Sequence, residues 1–146
     1  LEGLQVPEVH VLDRDNQPPE PAKYQAAADR VNARGNNCRS FITNRREMEN
    51  YIHFEAINRE FGIQLAENYQ PFDDVPKLVA IAVHEASEST TDWVDLDEKK
   101  QSKKESKVKK RLNRGAIENM TLEHLNTVDA DGEVLAWLGE ISSHLI

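Results

Sequence analysis

The chain has 146 residues, which is the size of one domain and long enough to bury a core. Its formal net charge of −8 argues against a protein that coats nucleic acid through general basicity, but it does not exclude a nuclease whose carboxylates bind metal ions. The single Cys38 excludes an internal disulfide framework and a cysteine-based zinc site, and we find no signal peptide or membrane-spanning stretch, so a cytoplasmic location is the default prediction.

The first predicted element is a short apolar strand near residues 8–12, bounded by the helix breakers Pro7 and 16–19. It ends in Asp13 and Asp15, whose carboxylates share one strand face if the extended geometry continues. Two close carboxylates repel each other unless a cation offsets their charge, and Mg²⁺ prefers such oxygen ligands. An ordinary Asp-rich turn has the same spacing, so the spacing alone does not decide between the two.

A helix near residues 20–34 and a second strand near 38–42 follow. Alanines and long polar side chains favour the helix, and Gly35 is typical of its end. Strand, helix and strand within about 35 residues predict a βαβ unit with parallel strands and a right-handed crossover. Both strands then end at the same sheet edge, where open α/β sheets bind ligands. The residues after Ile42 should therefore lie near the two aspartates.

Those residues are predicted to open the next helix. Asn44 is a good N-cap, and Glu47 three residues later completes a capping box. Glu47 then has a structural role, which leaves Glu49 to face the sheet edge as a third carboxylate. Glu49 and His53 also stand at the i, i+4 spacing that can bind a transition metal on a helix. No third nitrogen or sulfur ligand is near them in sequence, so a core-edge or solvent-facing histidine is the favoured interpretation.

The rest of the chain, residues 63–146, is predicted to be mostly helical. The helices are expected from residue 75 to 86 with Asp73 or Asp74 as cap, from a capping box at Ser102 through Asn113, from Thr121 to Asn126, and after a cap at Asp131; residues 88–100 are predicted to be a loop. Lys99 to Arg111 holds eight Lys or Arg. Such a run is either a solvated helix face or a patch that contacts phosphates.

Two segments together resemble a known family. Residues 9–15 (VHVLDRD) and 44–52 (NRREMENYI) look like the TOPRIM region of OLD-family (overcoming lysogenization defect) ATP-dependent endonucleases, in which an ABC-type ATPase precedes the TOPRIM domain. The Glu-Asn-Tyr after the Asp-x-Asp strand is the more specific feature. The resemblance extends more loosely to residues 105–113 and 132–138. It implies a partial, Rossmann-like TOPRIM domain over residues 1–62, followed by the helical segment 63–146.

The resemblance also implies a function: hydrolysis of DNA phosphodiester bonds by two Mg²⁺ or Mn²⁺ ions. Asp13 and Asp15 match the Asp-x-Asp metal ligands, and Glu49 matches the later acidic ligand. The family uses a lysine of the helical segment near the scissile phosphate, and Lys107 is the best match. Further expectations are an upstream ATPase domain that binds ATP, a homo-oligomer in the full-length protein, and no membrane partner.

One departure from the family pattern matters. TOPRIM domains carry a glutamate at the end of an earlier strand, and Glu2-Gly3 lies too close to the Asp-x-Asp strand to supply it. We therefore expect the chain to be a piece of a longer protein and to be inactive, or nearly so, by itself.

Two alternatives stay open. A haloacid-dehalogenase-like phosphatase would use Asp13 as its nucleophile and Thr43 at the end of the second strand, although no later Gly-Asp-x-x-x-Asp metal motif follows. A module without catalysis would use the same residues only for docking or dimerisation.

Overall fold

The structure is a computed structural model that describes residues 6–145. Glu2 and Gly3, the residues nearest to the family glutamate in the sequence, lie outside the described residues. It is an α/β protein with one two-stranded parallel sheet and a largely helical remainder. The elements in chain order are β1 (Val9–Leu12), α1 (Gln25–Ala33), β2 (Arg39–Ile42), a 3₁₀ turn (Met48–Tyr51), α2 (Phe54–Phe61), α3 (Val75–Glu85), a second 3₁₀ turn (Trp93–Asp95), α4 (Glu98–Arg111), a π-helical turn (Leu112–Ala116), α5 (Leu122–Val128) and α6 (Glu133–Ser143).

The chain divides into two compact units. The first comprises the described residues up to Met48 together with those from Asp129 onward, and the second runs from Glu49 to Val128. The predicted domain boundary at residue 62 groups α6 with the other C-terminal helices. In the structure α6 belongs to the first unit and contacts β1.

The first unit contains the predicted βαβ arrangement. The prediction of parallel strands is confirmed: Val9 lies beside Arg39, and Leu12 beside Ile42. Helix α1 connects the strands and buries Ala28 and Val31. Both strands consequently end at the same edge, with Asp13 and Thr43 as the next residues.

The second unit has a core of aliphatic side chains from four elements. Ile57 of α2, Val79 of α3, Val108 of α4 and Leu112 of the π-helical turn belong to one buried cluster, and Leu112 is fully buried. Helix α4 exposes nearly all its other side chains, which explains how a helix so rich in lysine can belong to the fold. The π-helical turn also places Gly115 against the end of the Glu60 side chain, so a Cβ at this position would force the Glu60 carboxylate to move.

Helices α1 and α4 begin elsewhere than predicted. Helix α1 starts at Gln25 rather than near residue 20, because the preceding segment is held by other bonds: Lys23 N donates to Arg14 O over 3.1 Å, and the Asn16 amide donates to Pro21 O over 3.0 Å. Helix α4 starts at Glu98 rather than Ser102. The Asp97 carboxylate caps it by accepting from Lys100 N at 2.8 Å.

The cap of the last helix also differs from the prediction. Asp131 is exposed, and Asp129 accepts hydrogen bonds from Glu133 N at 2.8 Å and Val134 N at 2.9 Å. Asp74 does cap α3 as expected, by accepting from Lys77 N at 3.2 Å. Within residues 6–145, no helix combines the length and apolar character needed to cross a lipid bilayer.

The core of the second unit predicts a clear contrast between two leucines. Leu112→Ala should lower the free energy of unfolding by about 2–5 kcal/mol, because it leaves a cavity in a fully buried position. Leu122→Ala, at a side chain that is 69% exposed, should change it by no more than about 0.5 kcal/mol. Urea unfolding of both variants measures the difference, and equal losses would contradict the assignment of Leu112 to the core.

Candidate functional site

Asp13 lies at the carboxyl end of β1. Its Oδ1 accepts a hydrogen bond from Met48 N at 3.0 Å, which joins the end of β1 to the segment that follows β2. The side chain is partly buried. A partly buried carboxylate at the carboxyl edge of parallel strands is a suitable oxygen ligand for Mg²⁺ or Mn²⁺.

Asp15 does not have the extended conformation that it would need in order to share a strand face with Asp13. Its φ is +58°, in the left-handed region that Asp tolerates better than most residues. The turn is held by a 2.8 Å bond from Asp15 N to Arg46 O. The prediction that Asp13 and Asp15 continue one strand face is therefore wrong, although both stay at the same strand end.

An ammonium group accompanies the Asp15 carboxylate. Lys23 Nζ lies 3.0 Å from Asp15 Oδ2. Its hydrogen bond to Asp15, with a further one to Tyr24, raises the pKa of the Lys23 ammonium above its usual value. A metal ion bound at Asp15 would compete with this lysine for the carboxylate.

The ends of the two strands are joined through Thr43, whose side chain is fully buried. Its hydroxyl accepts from Arg14 N at 3.0 Å and donates to Arg45 O at 2.7 Å. Arg14 Nε also donates to Thr43 O at 3.1 Å. The hydroxyl proton of Thr43 is thus committed to a backbone carbonyl, which does not suit the phosphate-binding role that the phosphatase alternative requires.

The predicted capping box does not form. Asn44 and Glu47 lie in non-helical turns, and Asn44 N donates to Glu133 Oε1 at 2.7 Å. The next α-helix begins only at Phe54, where the His53 side chain caps it by accepting from Glu55 N. Glu49 and His53 consequently do not form an i, i+4 pair on a helix.

Glu49 belongs to the second unit and is only 2% exposed. Its Oε1 accepts a 2.7 Å hydrogen bond from Asn113 Nδ2 and lies 3.4 Å from Lys109 Nζ. Burial of a carboxylate is costly unless a partner charge and hydrogen bonds compensate it, and these two side chains supply both. Asp13 and Asp15 lie together in the first unit, whereas Glu49 and its lysine lie in the second.

Lys109, rather than the predicted Lys107, is the α4 lysine beside Glu49. The two lysines are two positions apart and point to nearly opposite sides of the helix, about 200° around its axis. Lys107 lines a cavity that α4 forms with Ala80 and His84 of α3.

One face of α4 and the π-helical turn forms a polar, cationic groove. Its lining residues are Ser106, Lys109, Lys110, Asn113 and Arg114. Lysine and arginine side chains on one helix face are the usual contacts to nucleic-acid phosphates. We call these five residues the basic groove.

A further cluster of ligand-type side chains lies in the second unit. His53, Glu55 and His124 each place one ligand atom within 4.8 Å of the others. Sequence patterns do not reveal this cluster, because His124 is far along the chain from His53. Its pairing with α2 depends on how α5 folds back, which no local motif signals.

Comparisons with models of protein families, with curated proteins and with solved structures find no match for this chain. The resemblance to OLD-family nucleases therefore depends on residues 9–15 and 44–52 alone.

The contacts of Glu49 predict different roles for two neighbouring lysines. Lys109→Met should lower the free energy of unfolding by about 1–3 kcal/mol, because the buried Glu49 carboxylate loses its charged partner. Lys107→Met has the same change in charge and shape, yet should cost no more than about 0.5 kcal/mol. Chemical denaturation of the two variants checks this, and a Lys107→Met loss as large as that of Lys109→Met would contradict it.

Proposed function

We propose that the chain forms part of a divalent-metal-dependent DNA endonuclease. The observation that carries the proposal is the position of Asp13 and Asp15 at the carboxyl end of a parallel βαβ unit. The resemblance of residues 9–15 and 44–52 to OLD-family TOPRIM sequences supports the same conclusion.

The chemistry suits this ligand pair. Two-metal phosphodiester cleavage needs ions that activate a water molecule and stabilise the leaving oxygen. Carboxylates such as Asp13 and Asp15 provide the hard oxygen ligands that Mg²⁺ and Mn²⁺ require. In this proposal Lys23 holds Asp15 until an ion replaces its ammonium group, since both positive charges bind the same carboxylate.

The resemblance implies that Glu49 binds the same ions as the aspartates and that Lys107 lies near the scissile phosphate, and both stay predictions. Within the second unit the lysine in contact with Glu49 is Lys109, so Lys109 is the lysine that would act together with Glu49. A lysine in this role offsets negative charge that develops in the transition state.

The basic groove is proposed to contact the DNA backbone. Lys110 and Arg114 are exposed there, on a chain whose overall charge is negative. Local cationic side chains attract phosphates even when the net charge is opposite, since screening confines the field to about 10 Å at ordinary ionic strength. The upstream ATPase with its ATP, the homo-oligomer and the cytoplasmic location stay predictions from the resemblance and composition.

The metal ligands can be tested by Mn²⁺ binding, which does not require the complete catalytic site. Asp13→Asn should weaken Mn²⁺ binding about tenfold or more, because even outer partners of a metal site are worth about 10- to 100-fold. Asp131→Asn, at an exposed aspartate of the same unit, is the matched control. Electron paramagnetic resonance of free Mn²⁺ measures the affinity.

Cleavage of plasmid DNA tests the proposed nuclease mechanism directly. The longest natural form of the protein should nick supercoiled plasmid with Mg²⁺ or Mn²⁺, and Asp13→Ala should abolish nicking. Nicking that survives Asp13→Ala would refute the mechanism. Absence of both nicking and Mn²⁺ binding would favour the docking module instead.

The basic groove gives an independent prediction for DNA binding. Lys110→Gln with Arg114→Gln should lower the magnitude of the slope of log K against log salt concentration by about 2, or close to one per lost phosphate contact. Lys99→Gln with Lys103→Gln removes the same charge from the other end of α4 and should leave the slope nearly unchanged. Fluorescence anisotropy with labelled DNA at several salt concentrations measures it, and identical effects of the two double variants would show that only net charge matters.

A further inference from the structure

We propose that His53, Glu55 and His124 form a binding site for a divalent transition-metal ion, with Zn²⁺ as the best fit. The three residues come from two places in the second unit: His53 and Glu55 from the start of α2, and His124 from α5. Two imidazoles and one carboxylate are a common zinc ligand set. This inference does not depend on the proposed nuclease function, and its ligands include none of the residues proposed to bind Mg²⁺.

Both imidazoles turn their second nitrogen toward the backbone. His53 Nδ1 accepts from Glu55 N at 3.2 Å, and His124 Nδ1 accepts from Thr121 N at 3.3 Å. Each ring therefore keeps Nε2 as the nitrogen that is available to a ligand or a proton. The backbone contacts place the two rings before any ion binds.

One ligand pair already has the separation that a metal ion needs. His124 Nε2 lies 2.9 Å from Glu55 Oε2. Two ligand atoms that bind zinc over about 2.0–2.1 Å are this far apart when the angle at the metal is about 90°. This nitrogen and oxygen form a hydrogen bond with each other, and an ion that binds both atoms would displace its proton.

The third ligand requires a local rearrangement. The rings of His53 and His124 are stacked, with centroids 4.4 Å apart and planes 5° from parallel. A metal ion lies near the plane of each imidazole that binds it, so the stack has to open as His53 turns toward the ion. A neutral imidazole that binds a metal ion through Nε2 carries its proton on Nδ1. A protonated Nδ1 cannot accept a hydrogen bond, so the bonds from Glu55 N and Thr121 N would be lost. These costs predict a labile site rather than a structural one.

The surroundings favour a cation. The Glu55 side chain is 60% exposed, so an ion can reach it from solvent, whereas His53 is buried. Glu123 adds a second negative charge that acts on His53. Three protein ligands leave a fourth position for water, which is the composition of zinc sites that keep an open coordination position. Nitrogen ligands favour Zn²⁺ or Co²⁺ over Mg²⁺.

The site is tested by titrating the complete chain with Co²⁺ and Zn²⁺. One equivalent of Co²⁺ should give the visible absorption of a four-coordinate ion, and Zn²⁺ should displace it. His124→Ala should weaken binding about 100-fold or more, since partners outside the ligand set are already worth about 10- to 100-fold. His53→Asn, which keeps a residue able to cap α2, should do the same without loss of folding.

Two controls separate this site from others. His144 forms a His–Glu pair with Glu140 at 3.3 Å in the first unit, so His144→Ala should leave the affinity unchanged. Asp13→Asn should also leave it unchanged, which separates this inference from the proposed nuclease site. Absence of the Co²⁺ spectrum, or equal effects of His144→Ala and His124→Ala, would overturn the proposal. Unchanged affinity in folded His53→Asn would do so as well.

Discussion

Burial of the Glu49 carboxylate imposes a constraint on the whole second unit. Because a charge that is almost inaccessible to water needs partners, the chain must bring both Lys109 and Asn113 to one point. These partners lie on successive turns of α4 and the π-helical turn, so the pair fixes the rotation of that segment about its axis. In this rotation Val108 and Leu112 of the same segment enter the aliphatic core.

In the first unit, two strands end at one place, and backbone groups there need hydrogen-bond partners. The Thr43 hydroxyl is such a partner, because it accepts from Arg14 N after β1 and donates to Arg45 O after β2. The positive φ of Asp15 then departs from the extended conformation of β1. This geometry places carboxylates at a sheet edge. The placement follows from the way the two strands end, and it does not by itself specify one chemical reaction.

The sequence was sufficient where local rules operate. Proline and glycine residues around two short apolar runs predicted the parallel βαβ unit, and one of the two aspartates expected to cap α3, Asp74, does so. Predictions failed where a distant partner decides the outcome. Asn44 satisfies every local criterion for an N-cap, yet its N–H group bonds to Glu133, which is remote in sequence. His53 was recognised as a possible ligand but was paired with Glu49, since nothing in sequence reveals that α5 carries His124 to it.

The π-helical turn has a consequence for the length of the chain. A turn of this kind is an α-helix with an added residue, so loss of one residue from 112–116 would be compatible with a continuous, regular helix. Such a deletion would leave the residues beyond it near their present orientation, because the wider π-helical turn already takes up the added residue. The same loss from the regular part of α4 would rotate the residues on its two sides by about 100° relative to each other. A change in chain length should therefore disturb the fold less at the π-helical turn than within α4.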